Sequence, residues 1–401
     1  MAFDVIILGL GAMGSATAYH FAKRGLRVLG LDRFAPPHSL GSSHGESRII
    51  REAYYEHPLY VPLVRRAYEL WEELEQQMRQ QLFLQTGGLM IGAEKSTLVA
   101  GARLSARTHH LAHELLEARE IRRRYPAFHL PEEMVAVWEP RAGVLFPEKC
   151  IAAHLLMAQR HGAHLHGEEI VMAWQKEGGR IAVTTNKGKY AASKLVVSAG
   201  AWLQALAREL ALPLHCTRQP LFWFEPLAHA NYFAPQNFPI YILEHAPNRY
   251  FYGFPNLGAG CKVAIHHEGE VTEAESVRRE VATDEAIPLR RLLEKFLPEA
   301  NGALLKTAVC MYTNTPDGHF LLDFHPDDHD VLIVSPCSGH GFKFSSAIGE
   351  LIAELLTDGA AGFDLAPFRF GRFASNTTTL SRYNYRPESG HLTIATSFMT
   401  W

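Results

Sequence analysis

Cysteine is scarce and scattered: Cys150, Cys216, Cys261, Cys310 and Cys337 are odd in number and include no C-x-x-C pair. That spacing excludes a disulfide framework and a zinc site, and it fits a reducing compartment. No apolar run approaches the eighteen or so residues that a membrane span needs. The only apolar stretch near the N-terminus is better read as a strand than as a signal peptide, so the expectation is a cytoplasmic protein without a membrane partner. Charge of one sign is also lacking. Lys and Arg total 39 against 42 Asp and Glu, a formal balance of -3 that offers no footprint for nucleic acid. Internal repeats are not visible. With 401 residues, 47% of them hydrophobic, the chain has material for two domains or one large one.

What is present begins at once. Val5-Ile6-Ile7-Leu8-Gly9-Leu10-Gly11-Ala12-Met13-Gly14 is an apolar run closed by G-x-G-x-x-G, and Asp32 follows eighteen residues after Gly14. The run reads as a buried parallel strand. Gly9 permits a tight turn, Gly11 lets backbone approach a pyrophosphate, and Gly14 lets the next helix lie close to the sheet. That helix would offer free N–H groups to phosphate. Asp32 ends a second strand, where a carboxylate can accept hydrogen bonds from a ribose and would repel a 2′-phosphate. FAD or NAD is therefore expected, and NADP disfavoured.

Further along, the pattern predicts a long amphipathic helix over Tyr60 to Gln81 and a helix near Ile151–His161. Strands are expected near Ile181–Thr184 and Lys194–Ser198, the second ending at Gly200. Between about Gln219 and Lys306 aromatic residues alternate with period two, which predicts an antiparallel sheet in a separate substrate domain. Strands near Val309–Tyr312, Phe320–Asp323 and Val331–Ser335 and a helix from about Phe342 to Leu356 follow. The stretch from Ser375 to Trp401, rich in Thr, Ser and Asn, reads as a poorly ordered or loosely docked extension.

Four short segments concentrate polar groups. In His44-Gly45-Glu46-Ser47-Arg48-Ile49-Ile50-Arg51, a helix would place His44, Arg48 and Arg51 on one face, although a solvated cationic face would look the same. In Lys262-Val263-Ala264-Ile265-His266, a strand would put Lys262 and His266 on one side, as an ordinary edge strand also would. Cys310 and Tyr312 share a strand face, where a free cysteine is commonly just a small buried hydrophobe. Ser338-Gly339-His340-Gly341-Phe342-Lys343 precedes the last helix, and a lysine at a helix entrance suggests that an anion belongs there.

Together these segments resemble the family of monomeric sarcosine oxidase and N-methyltryptophan oxidase from residue 3 to about 373. Pro36-Pro37-His38, Gly45 to Arg51, Tyr252-Gly253-Phe254-Pro255, Cys310-Met311-Tyr312-Thr313 and Ser338 to Phe344 occur in the family's order. The resemblance implies an α/β fold with a Rossmann-like FAD-binding domain (1–80, 145–218 and 307–374) and a second, antiparallel-sheet substrate domain (81–144 and 219–306). Gly9, Gly11, Gly14, Asp32, Gly200, Gly341 and Lys343 would hold FAD, attached covalently through Cys310. Arg51 and Lys343 would clamp a substrate carboxylate near Tyr252, Gly339 and Ile242 or Leu243. Lys262 would face the flavin, with His44, Arg48, His266 and Tyr312 lining the cavity. The implied partners are a small secondary amine and O2, acting on a monomer. The alternatives are an oxidase or dehydrogenase of cyclic or D-amino acids, an NAD-dependent dehydrogenase, or a flavin-binding protein without turnover. Departures from the family pattern, Glu46-Ser47 and Ser335-Pro336-Cys337 among them, leave the substrate's side chain open.

Overall fold

The computed structural model describes residues 2–374; the extension from Ser375 onward lies outside them. The first strand, Ala2–Leu8, is buried along its C-terminal half and pairs in parallel with Val28–Leu31 on one side and Lys189–Val197 on the other. His164–His166 and Asp328–Ser335 extend this sheet in parallel, and Val171–Glu177, Arg180–Thr185 and Leu321–His325 complete eight strands through antiparallel pairs. Helix Ala12–Lys23 packs against helices Pro147–Arg160 and Ser345–Asp358. The contact with the last is close because Gly349 has no side chain: a Cβ there would stand 2.6 Å from the Ala16 carbonyl carbon.

The second sheet has nine strands. His215–Phe224 pairs antiparallel with Leu304–Asn314 and, at its end, with Cys261–His266; Arg249–Asn256 and Ile240–Ala246 follow. The aromatic alternation thus becomes the expected sheet, with one correction. Ile240–Leu243 runs parallel to Gly88–Ile91, so the sheet is mixed. Strand Gly88–Ala93 arrives from much earlier in the chain, and its direction is set by that crossover and not by a hairpin. Leu304–Asn314 also belongs to this sheet along its length, so a boundary at residue 307 cuts through a strand.

The cationic segment is a second correction. Arg48–Ile50 is a strand of a three-stranded sheet with Gly143–Leu145 and Phe83–Gln85, not a helix. Gly45 and Glu46 have φ of +97° and +69°, left-handed values that a right-handed helix cannot contain. The expected long helix runs Tyr60–Met78, ending at a left-handed Arg79.

The helical layer carries two buried histidines, His20 and His154, of which Nε2 and Nδ1 respectively have no hydrogen-bond partner among the described residues. Burial, aided by Lys23, pushes His20 down to about 3, and burial holds His154 well below 6.5. A folded-state value below the unfolded one means that this stability is complete above about pH 6.5 and is lost as pH falls from there toward 3. We expect His20 alone to cost about 2 kcal/mol by pH 5. Thermal melts from pH 5 to 8 should show a flatter acid limb in His20→Asn, and an unchanged limb would contradict this origin.

Candidate active site

A single cavity runs from the Gly9–Met13 turn past Asp32, Ser42 and Ser198–Trp202 to Arg48, Arg51, Ile242, Tyr252, His266, Cys310, Tyr312 and Gly339–Lys343. Both sheets thus contribute to one wall. Gly9 and Gly14 meet the steric demands expected of them. Gly9 (φ +92°) makes the turn, and a Cβ on Gly14 would fall 1.8 Å from the Gly9 carbonyl oxygen. A Cβ on Gly11 would meet only Ser43 Oγ at 3.8 Å, leaving the backbone open to the cavity. Asp32 accepts from the Leu10 N–H at 2.7 Å and the Phe34 N–H at 2.8 Å, which fixes its carboxylate at the cavity edge. Burial raises its pKa against those two bonds. Gly200 (φ +54°) also lines the cavity, and Gly341 approaches Pro336 so closely that a Cβ would lie 1.6 Å from its oxygen. These features fit a dinucleotide laid along the turn.

The cationic segment is gripped at both ends by distant carboxylates. Glu148, in the first turn of helix Pro147–Arg160, accepts from the Gly45 and Glu46 N–H groups at 2.7 and 3.1 Å. Glu139 accepts from Glu52 and Ala53 at 2.6 and 2.8 Å, and burial pushes its pKa up to about 7. Between these grips, Arg48 donates to Ser47 O, Ser42 O and, at 3.5 Å, Cys310 Sγ. Arg51 is buried, lies over the Tyr54 and Tyr55 rings at 4.3 and 4.7 Å, and donates to both Glu56 oxygens at 2.7 Å. Burial works against its charge, but Glu56 and the rings more than offset this.

Across the cavity, Cys310 and Tyr312 share the face that alternation predicts. Cys310 Sγ lies 3.4 Å from Ser42 O, and Tyr312 Oη is 3.2 Å from His266 Nδ1. Burial, with His267 beside it, holds His266 well below 6.5. Gly339 (φ +76°) is needed where it stands, because a Cβ would press the Tyr312 ring at 2.8 Å. Ile242 lines the cavity, whereas Leu243 is buried in the core behind the sheet. Lys343 donates to His340 O at 2.7 Å, and burial beside Arg51 pulls its pKa down to about 7.

Two expected residues stand behind the wall and not in it. His44 donates through Nε2 to Val309 O at 3.1 Å; burial, then Arg48, push it down to about 3. Lys262 donates to Gly45 O, Ser47 O and Ser47 Oγ at 2.7, 2.9 and 3.2 Å, and lies over the Phe254 and Trp223 rings at 4.9 and 5.4 Å. Its strand is interior, flanked by His215–Phe224 and Arg249–Asn256, which removes the edge-strand explanation. Sequence reasoning missed Tyr54, Glu56, Glu139, Glu148, His267 and His340. Tyr54 and Glu56 carried a local signal, being three and five residues beyond Arg51, as did His267 next to His266 and His340 within the Ser338–Lys343 segment; Glu139 and Glu148 carried none.

The glycine cradle, the acid after the second strand and the cavity shared by two sheets define a flavin-type oxidoreductase. The model of the family described as "FAD dependent oxidoreductase" matches residues 4–355. Monomeric sarcosine oxidase of Streptomyces avermitilis is 42% identical over 377 residues, covering 93% of this chain and 98% of that protein. N-methyl-L-tryptophan oxidase of Yersinia pestis is 35% identical over 375 residues, covering 93% and 100%. Among solved structures, L-proline dehydrogenase from P. horikoshii has the same fold at 22% identity, with a TM-score of 0.80 over 93% of this chain and 98% of that one. NikD, an unusual amino acid oxidase, gives 0.79 at 23% identity, over 92% and 97%. The chain belongs to the FAD-dependent oxidoreductase family, in the group that holds the monomeric sarcosine oxidases and N-methyltryptophan oxidases.

Proposed function

We propose that this enzyme oxidises N-methyl α-amino acids of the sarcosine or N-methyltryptophan type to the demethylated amino acid, formaldehyde and H2O2. The observation that carries the reading is the pair of buried cations, Arg51 and Lys343, in the wall of a cavity that also presents Cys310. Bound FAD supplies the two-electron acceptor, which O2 restores with release of H2O2.

The chain's own residues orient the substrate. Arg51 Nη2 already serves both Glu56 oxygens and Nη1 serves Ala53 O, so a substrate carboxylate would take the remaining N–H groups of the guanidinium on its cavity side. A substrate carboxylate placed there, with Lys343 donating beside it, leaves the amine and its methyl group facing the cavity interior near Ile242, Tyr252 and His266. Neutral His266 and the Tyr312 hydroxyl offer polar partners for the amine without adding charge. Removal of a hydride equivalent and a proton from N–CH3 leaves an imine, which water hydrolyses to formaldehyde and the primary amino acid. Incubation with sarcosine in air should give formaldehyde and peroxide in equal amounts. Turnover of cyclic or D-amino acids with none of N-methyl amino acids would overturn the assignment.

Cys310 as the covalent point of attachment is part of this reading. It is supported by the place of Sγ in the cavity wall, where Arg48 donates to it at 3.5 Å. Acid precipitation should leave yellow flavin in the pellet of the wild type and release it from Cys310→Ala; equal release from both would refute the bond. The five free thiols and the monomeric relatives support a cytoplasmic monomer. Among the described residues no helix is long and apolar enough to cross a membrane.

A further inference from the structure

We propose that Tyr54 is the positioning residue of the carboxylate clamp, holding both cations at once, with its ring under Arg51 and its hydroxyl beside Lys343. The inference rests on the clamp reading above and adds a residue to it.

Tyr54 is fully buried, three residues after Arg51. The Arg51 guanidinium carbon lies 4.3 Å from its ring centroid. Tyr60 and Phe344 pack against the same ring with centroids at 4.9 and 5.2 Å, so it has little room to rotate. Its hydroxyl stands 2.6 Å from His340 Nδ1 and 3.4 Å from Lys343 Nζ.

The direction of these bonds follows from their far end. His340 Nε2 lies 2.9 Å from Gly318 O. A carbonyl only accepts, so Nε2 carries the proton. Burial, reinforced by Lys343, keeps the ring neutral, so Nδ1 has a lone pair and must accept. The Tyr54 O–H therefore donates to Nδ1, its 3.3 Å approach to His340 O being the longer alternative. That leaves the oxygen's lone pairs to accept from Lys343. With a second bond to His340 O at 2.7 Å, two of the three Lys343 N–H groups are engaged and one remains for a ligand. The chain Lys343 to Tyr54 to His340 to Gly318 has a single polarity.

Tyr54 also stands between like charges. Arg51 and Arg48 disfavour a proton on Lys343, Glu56 favours it, and His340 and His266 face it as neutral rings. The hydroxyl oxygen and the ring face, 5.2 Å from Nζ, offset part of that repulsion.

Tyr54→Phe keeps the ring under Arg51 and deletes the hydroxyl. With acetate as probe, followed by its perturbation of the flavin spectrum in the holoenzyme, wild-type affinity should decline above about pH 7, where Lys343 loses its proton. The phenylalanine variant should move that break down by about one pH unit and bind acetate roughly tenfold more weakly near neutrality. Saturated kcat and the oxidation of an N-methyl amine without a carboxylate should change little. Tyr54→Leu, which also removes the ring, should weaken acetate below the break as well, since Arg51 loses its support. An unchanged break and affinity in Tyr54→Phe would overturn the proposal, as would an equal loss for the amine without a carboxylate. If the wild type itself showed no acetate binding, the clamp would fall and Tyr54's role with it.

Discussion

Lys262→Met is expected to leave anaerobic flavin reduction largely intact and to slow reoxidation by O2 about a hundred- to thousand-fold. The cause is the charge environment of Lys262. Its ammonium is buried among three oxygens and two aromatic faces and, among the described residues, forms no ion pair. Burial, then the nearby Arg48, pull its pKa well below 10.5, so the site disfavours the cation until negative charge builds in the cavity. A preorganised donor that meets developing charge is worth about 3–4 kcal/mol of barrier. Methionine keeps the length and apolar bulk, so the fold should survive. Stopped-flow mixing of the reduced enzyme with O2 gives the result directly, and unchanged reoxidation would reject the role. The place of Lys262 behind the wall makes this test sharp, because its action must pass through the field it sets up and not through contact.

Truncation of the clamp should have an effect of similar size on the other half-reaction. Lys343→Ala should weaken binding of N-methyl amino acids and of simple carboxylates by about 2–5 kcal/mol, the range for loss of one buried partner of a charge pair. Arg51→Ala alone would strand Glu56, whose side chain is 8% exposed, so part of its effect would fall on folding. Arg51→Ala with Glu56→Gln removes that complication and should lose carboxylate binding with little change in thermal stability. An amine lacking the carboxylate should be a poor substrate of the wild type and should lose little further in either variant. Kinetics with the matched pair of substrates separates the outcomes. Equal harm to both would make Arg51 and Lys343 supports of the flavin and not a clamp.

The parts of this site that were legible in the sequence are the local ones. Gly9, Gly11, Gly14 and Asp32 form one strand–turn–helix–strand unit, and each occupies the place that spacing assigns it. Alternation placed Lys262 with His266, and Cys310 with Tyr312, because a strand's faces follow from counting. What sequence concealed depends on pairing across long separations. The strand at Arg48–Ile50 exists because Gly143–Leu145 lies beside it, and the left-handed Glu46 before it has no mark in its residue type. Glu139 and Glu148 grip the same segment from about 90 and 100 residues away, as ordinary glutamates of a strand and a helix. The parallel pair in the second sheet and the retreat of His44 and Lys262 from the cavity wall have the same non-local origin.

Anaerobic titration of the flavin spectrum tests the central claim most directly. Sarcosine or another N-methyl amino acid, added without O2, should bleach the oxidised flavin bands, and the matching N-methyl amine without a carboxylate should do so far more slowly. Persistence of the oxidised spectrum with every N-methyl amino acid tried, or equal bleaching by both members of the pair, would contradict the account.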